Sequence, residues 1–194
     1  MLTRDDYRQI ARIHSEGIFK GFLSSLGERF LSLLYESIDK SEGSLLLVSR
    51  SEGKIVGFVT GTRNIGEVYR IMLRSWGRLF LSLLPAMVSP KKIFRIVETV
   101  MFSGKNAEPG VELPSEELLS ISVLSEYRGK GYAEELFKGL AEEFMRRKAR
   151  QFKIVVGDAL EPAHRFYKKM GARPVAKTEV HKGSGSIVYV FDVK

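Results

Sequence analysis

Residues 120–144 read SISVLSEYRGKGYAEELFKGLAEEF. The apolar run Leu118–Val123 has the length and composition of a buried strand. It leads into Arg128-Gly129-Lys130-Gly131, and helical periodicity begins at once. Ala133, Leu136, Phe137, Leu140 and Phe144 fall on one face of a helix expected over Tyr132–Arg150. The first turn of a helix presents backbone N–H groups that lack intrahelical acceptors, and the helix dipole favours negative charge beside them. Gly129 and Gly131 let the backbone approach a ligand without a Cβ between, while Arg128 and Lys130 add positive charge. The segment reads as an anion cradle of a size to suit a pyrophosphate. It lacks the third glycine of GxGxxG, and no GKS or GKT follows, so it is neither the dinucleotide fingerprint nor a Walker A loop. On this segment alone, a glycine-rich turn with charges in solvent is the competing reading.

Downstream, Phe152–Val156 reads as a strand, Pro162–Met170 as a helix, and 174–180 with 187–193 as a hairpin around KGSGS. Residues 118–156 thus form a strand–helix–strand unit. Upstream, helices are expected over 4–16 and 28–38, joined by a loop rich in Gly and Phe. A hairpin follows, Leu45–Ser49 and Lys54–Thr60, turning at Gly53. The whole predicts a mixed α/β (α+β) fold around one central sheet, with 1–194 as a single domain. Residues 64–110 stand apart as a helical insertion before the strand at 118–123. Val68, Ile71, Met72, Trp76, Leu79 and Phe80 have helical spacing, Pro85 and Pro90 are expected to break that helix, and 91–102 suggests another.

Composition narrows the chemistry. The chain of 194 residues is 44% apolar and has no cysteine, which excludes disulfides, thiolate metal sites and a cysteine nucleophile. His14, His164 and His181 lie far apart without metal-ligand spacing, so no metal is expected and each is read as a surface or packing histidine. The charged N-terminus has no apolar signal region, and the longest apolar run, Leu79–Val88, is too short to span a bilayer. A cytoplasmic protein without a transmembrane segment is expected. The net charge of +8 favours anionic partners, or serves as a solubilising surface.

With these elements in place, the central stretch resembles motif A of the GNAT superfamily of acetyltransferases, (Q/R)xxGx(G/A), with Arg128, Gly131 and Ala133 at its fixed positions. About forty residues on, Ala163, Tyr167 and Gly171 match motif B, AxxxYxxxG, and the likeness is specific over residues 117–173. It departs from the pattern at Leu160, where members often carry Asn, and at Ala172, where Phe is frequent. The resemblance implies the GNAT acyl-CoA N-acyltransferase fold, acetyl-CoA as co-substrate, and transfer of an acetyl group to a primary amine by direct attack. It assigns cofactor binding to Ile121, Ser122, Val123, Arg128, Gly129, Lys130, Gly131, Tyr132 and Ala133, with a backbone N–H near Val123 facing the thioester oxygen. Tyr167 takes the place of the acid that protonates the leaving thiolate. Glu117 takes that of the base that helps deprotonate the amine. Read only as residues, Glu117 and its neighbour Glu116 are equally strand-entry charges, and Tyr167 a core tyrosine.

The resemblance further implies a small-molecule or peptide amine as the acceptor, without saying which. The insertion bears on it. Arg70, Arg74 and Arg78, spaced i, i+4, i+8, form a cationic stripe beside an apolar face, joined in sequence by Lys91, Lys92, Arg95 and Lys105. A lid over an anionic amine, a patch for acidic lipid, and simple packing on the sheet or on the second subunit of a homodimer all fit that pattern. An acyl-CoA-binding or regulatory module without catalysis is the alternative function. Nucleic-acid binding ranks last, because basicity is its only support.

Overall fold

The computed structural model describes residues 2–18, 23–87, 112–181 and 184–193. Among the expectations above, the helix over 91–102, the charges Lys91, Lys92, Arg95 and Lys105, Pro90, the turn at 182–183 and the side chain of His181 lie outside the described residues.

Two helices open the fold, α1 (Arg4–Gly17) and α2 (Glu28–Lys40). Thr3 caps α1 in a reciprocal box with Asp6, and Asp6 also binds Arg50 at 2.7 Å, which ties the helix to the sheet. The hairpin β1 (Ser44–Ser51) and β2 (Lys54–Thr62) follows, then α3 (Ile65–Arg74) and α4 (Trp76–Met87). The second half runs β3 (Glu117–Val123), α5 (Tyr132–Arg146), β4 (Gln151–Gly157), α6 (Glu161–Lys169), β5 (Arg173–His181) and β6 (Ser184–Asp192). The strands make one six-stranded sheet in the order β1-β2-β3-β4-β6-β5. Only β3 and β4 pair in parallel; every other neighbouring pair is antiparallel. This is the mixed α/β sheet expected from the sequence.

Each face of the sheet carries its own core. On one, α1, α2 and α3 bury Ile10, Leu31, Tyr35, Ile38, Val68 and Met72 against Phe58. On the other, α5 and α6 bury Phe137, Leu140, Phe144 and Tyr167 against Val59, Phe152, Ile154 and Tyr189. α5 lies so close to β2 that a Cβ on Gly61 would sit 2.7 Å from Phe144 Cζ and 2.9 Å from Leu140 Cδ1. Neither neighbour can retreat within a packed core. Gly61→Ala is therefore expected to cost about 1–3 kcal/mol, read as a lower urea midpoint; an unchanged midpoint would mean that α5 can lift from the sheet freely.

Three expectations are corrected. The long helix ends at Arg146, short of Arg150, because Lys148 turns left-handed (φ 64°) and Ala149 N–H bonds back to Phe144 C=O. The chain continues as a helix through Pro85 to Met87. A proline near a helix end removes one bond to the preceding turn, and that need not stop the helix. Finally, the arginines do not form one stripe. The helix breaks at Ser75, so Arg70 and Arg74 ride on α3, whereas Arg78 on α4 turns back to Glu36 of α2 at 2.6 Å. Glu36 is buried, and the Arg78 guanidinium, aided by Lys40, holds its pKa down to about 2. Trp76 and Phe80, which share helical spacing with Val68 and Met72, are exposed.

Candidate functional site

The site begins with a gap in the sheet. The parallel ladder between β3 and β4 holds two pairs, Glu117↔Lys153 and Leu118↔Ile154, and goes no further. β3 runs on to Val123 beside β2 alone. Direction along this free edge follows from a bulge. The register with β2 shifts between Thr60 and Gly61, so that Leu119 is the extra residue. Leu124 N–H bonds to Val56 C=O, and antiparallel alternation then turns the backbone of Ser122 to β2 as well. Ile121 and Val123 are left with their N–H and C=O groups aimed at the gap. Without the bulge these two residues would face β2. An extended ligand arm laid in the gap meets those groups as a neighbouring strand would. Ser122, between them, faces away: its hydroxyl donates to Ile13 C=O at the end of α1.

The glycine turn closes the carboxyl end of the gap. Arg128 Nε donates to Val123 C=O at 3.1 Å, which fastens the turn to the strand it follows. Gly129 (φ 74°) and Gly131 (φ 89°) are both left-handed, a conformation that a side chain at either position would strain. Gly131 caps α5 without any side-chain bond, and of the first-turn N–H groups that of Glu134 is engaged by its own carboxylate. Lys130 Nζ lies 4.9 Å from the centre of the Tyr127 ring, which stands edge-on to Tyr132. Glu134 in the same turn opposes an anion, but Lys169 of α6 pairs with it at 2.9 Å. The balance at this helix end stays positive.

Tyr167 on α6 packs among Phe137, Phe166 and Tyr189. The residue is 6% exposed, its hydroxyl has no hydrogen-bond partner among the described residues, and burial pushes its pKa up. Glu117 opens β3, on the face opposite that of Leu118. Burial raises its pKa, and Lys153 Nζ, 3.6 Å from its carboxylate, opposes that rise. Glu116, one residue earlier, pairs instead with Arg63 at 3.6 Å.

The histidines split as packing groups. His164 is buried, with Nε2 donating to Gly157 C=O at 3.1 Å and Nδ1 accepting from the Tyr189 hydroxyl at 2.9 Å; it fixes α6 to β4 and β6. His14 is buried on the other face, where Nδ1 meets the Tyr35 hydroxyl. Tyr35 lies 3.4 Å from Ser120 Oγ, itself 2.8 Å from Thr60 Oγ1, so a short polar chain runs beneath β3 beside the bulge. Neither that chain nor the bulge has a sequence signature, because both arise from residues far apart in the chain. At the start of α6, Leu160 occupies the N-cap without a side-chain bond. Leu160→Asn is expected to add about 1 kcal/mol of stability, seen as a higher urea midpoint at unchanged slope. No gain would mean that water already serves those N–H groups.

Among the described residues no cluster of metal-binding side chains occurs, and no helix is long and apolar enough to cross a membrane.

This geometry has known relatives. Residues 94–172 match the model of the acetyltransferase (GNAT) family. No curated protein matches the chain in sequence. Among solved structures, a GNAT-family protein from Desulfovibrio desulfuricans superposes with a TM-score of 0.64 at 13% identity, over 100% of this chain and 96% of that one. An N-acetyltransferase from Staphylococcus aureus Mu50 gives 0.62 at 15% identity, over 100% and 96%. An aminoglycoside 6'-N-acetyltransferase complexed with coenzyme A gives 0.60 at 12% identity, over 97% and 91%. Identities this low speak for the fold alone. Residues 94–172 are thus similar to the acetyltransferase (GNAT) family, and the chain over its whole length shares the fold of these solved structures.

Proposed function

We propose that this protein transfers an acetyl group from acetyl-CoA to a primary amine by direct attack. The observation that carries the reading is the gap between β3 and β4, with the Gly131-headed end of α5 at its mouth. The gap suits a pantetheine arm bonded to Ile121 and Val123, and the helix end suits the pyrophosphate, held by the N–H groups from Gly129 to Ala133 with Arg128 and Lys130 beside it. Coenzyme A in one structural relative supports this choice of ligand.

The amine must arrive deprotonated or lose its proton on the way. Glu117 is the base in this reading, acting directly or through water, and its raised pKa makes it a better acceptor than an ordinary carboxylate. It must be ionised to act, so kcat/KM should rise as pH climbs through that raised value. The amine nitrogen bonds to the thioester carbon, the oxygen gathers charge facing the Val123 N–H, and the carbon–sulfur bond breaks. Tyr167 then gives its proton to the departing thiolate. Transition-state stabilisation thus falls to the strand edge, and proton traffic to two side chains.

Calorimetry with CoA, followed by a panel of amino sugars, polyamines, amino acids and peptide N-termini with thiol release as readout, tests the proposal. CoA binding together with acetyl-CoA turnover on one amine class is the expected result. CoA binding without turnover on any class would favour a non-catalytic acyl-CoA module, and absence of CoA binding would remove both readings. Residues 1–194 would act as one domain, with the segment 64–110 an insertion within it.

A further inference from the structure

Helix α4 is inside out for a water-soluble protein. Its inward side carries Ser82, which is buried, and Arg78, which reaches Glu36; Leu79 and Leu83 pack partly against the α1/α2 core. Its outward side carries Trp76, 75% exposed, with Phe80, Leu81 and Leu84. At 100° per residue these four fall within one arc. On α3, Leu73 is 62% exposed, and Arg70 and Arg74, on the side away from the buried Val68 and Met72, are exposed as well. Contiguous exposed aromatic and aliphatic side chains of this kind mark an interaction surface.

Charge selects the occupant. Between Glu67 and Glu98 the sequence has no acidic residue. Glu67 itself is turned inward, accepting from Ser41 Oγ at 2.8 Å and Gly43 N–H at 3.1 Å. The surface therefore combines apolar bulk, one tryptophan and exposed arginines, in a chain of net charge +8. A second copy of the same chain would bring like charge against like. An anionic bilayer attracts the arginines and takes up the apolar side chains at the depth where tryptophan is most stable. At 12 residues α4 is too short to span the hydrocarbon, so it would lie in the interface.

We infer that α3 and α4 form a docking face for an anionic membrane surface, with Trp76, Phe80, Leu81 and Leu84 inserted among the lipids and Arg70 and Arg74 on the headgroups. This inference does not depend on the acetyl-transfer reading.

Trp76 is the sole tryptophan in the chain, so its fluorescence reports the event without a label. The full-length protein is titrated with phosphatidylcholine vesicles, with and without phosphatidylserine. The expected result is a blue shift of emission only with phosphatidylserine, quenching by brominated acyl chains, and weakening by salt. Arg70→Gln and Arg74→Gln should each lower partitioning about fivefold. Phe80→Ser with Leu84→Ser should abolish it, while an unchanged urea midpoint in the same preparation shows that the fold is kept. Emission unmoved by anionic vesicles overturns the inference. So does emission already blue in the free protein together with a dimeric mass, which would assign the face to a second copy. Should the double variant prove unfolded, the two arginine variants decide alone: unchanged partitioning in both overturns the inference.

Discussion

Tyr167→Phe is expected to lower kcat about a hundredfold while leaving CoA association and thermal stability intact. The reasoning is geometric. The ring is held by Phe137, Phe166 and Tyr189, and phenylalanine keeps those contacts. Only the hydroxyl is lost, and it has no hydrogen-bond partner among the described residues. With no hydrogen bond to break among the described residues, removing it should leave the melting temperature unchanged. A merely structural tyrosine predicts the same stability and full turnover. The separation of kcat from stability is therefore the informative result, and turnover at the level of the unaltered protein would strip Tyr167 of its acid role. Solvent exchange of a slow proton step offers a second readout: a solvent isotope effect present in the enzyme should change in the variant.

The second large effect is on stability. His14 is buried without a charged partner, its Nε2 has no hydrogen-bond partner among the described residues, and burial drives its pKa down from 6.5 to about 4. The unfolded chain takes up a proton near 6.5 that the folded protein refuses until about 4. The unfolded state thus binds more protons across that window, and stability must fall as pH is lowered through it. Each pH unit crossed inside the window removes about 1.4 kcal/mol, so the loss approaches about 3 kcal/mol at the acid end. Denaturant unfolding at neutral pH and near the lower limit should show this loss in the natural sequence. In His14→Phe, where nothing titrates at this position, the acid loss should shrink by the same amount. Comparison with the variant removes the contribution of carboxylates, which titrate in both proteins. If both lose equal stability in acid, His14 is not kept neutral by burial. The same chain of contacts, through Tyr35 to Ser120 and Thr60, lies under the bulge that aims Ile121 and Val123 at the gap. Acid should therefore loosen the strand edge before it loosens β5 and β6, a difference that hydrogen exchange can resolve.

Much of this protein was legible without coordinates. Hydrophobic period two and period 3.6 separate the strands from the helices, since each follows from backbone geometry that neighbouring residues set by themselves. The glycine turn was legible for the same reason: Gly129 and Gly131 must both be left-handed there, and left-handed backbone selects glycine locally. The motif spacing of Arg128, Gly131, Ala133 and Tyr167, which resembles that of one family, is also a property of the sequence alone.

Tertiary structure decided the rest, and in each case the deciding partner is remote in sequence. Where β3 leaves β4, and which of its residues then face the gap, depends on a bulge set by pairing with β2, some sixty residues earlier. Trp76 and Phe80 have the spacing of core residues, yet they face outward because Arg78 reaches a buried carboxylate on α2 and fixes the rotation of α4. His14 reads from sequence as one polar residue on an amphipathic helix; its neutrality comes from the sheet that closes over it. Local pattern specifies elements because their hydrogen bonds close within a few residues. Register, rotation and burial are settled only when distant segments compete for the same space, which no window of sequence contains.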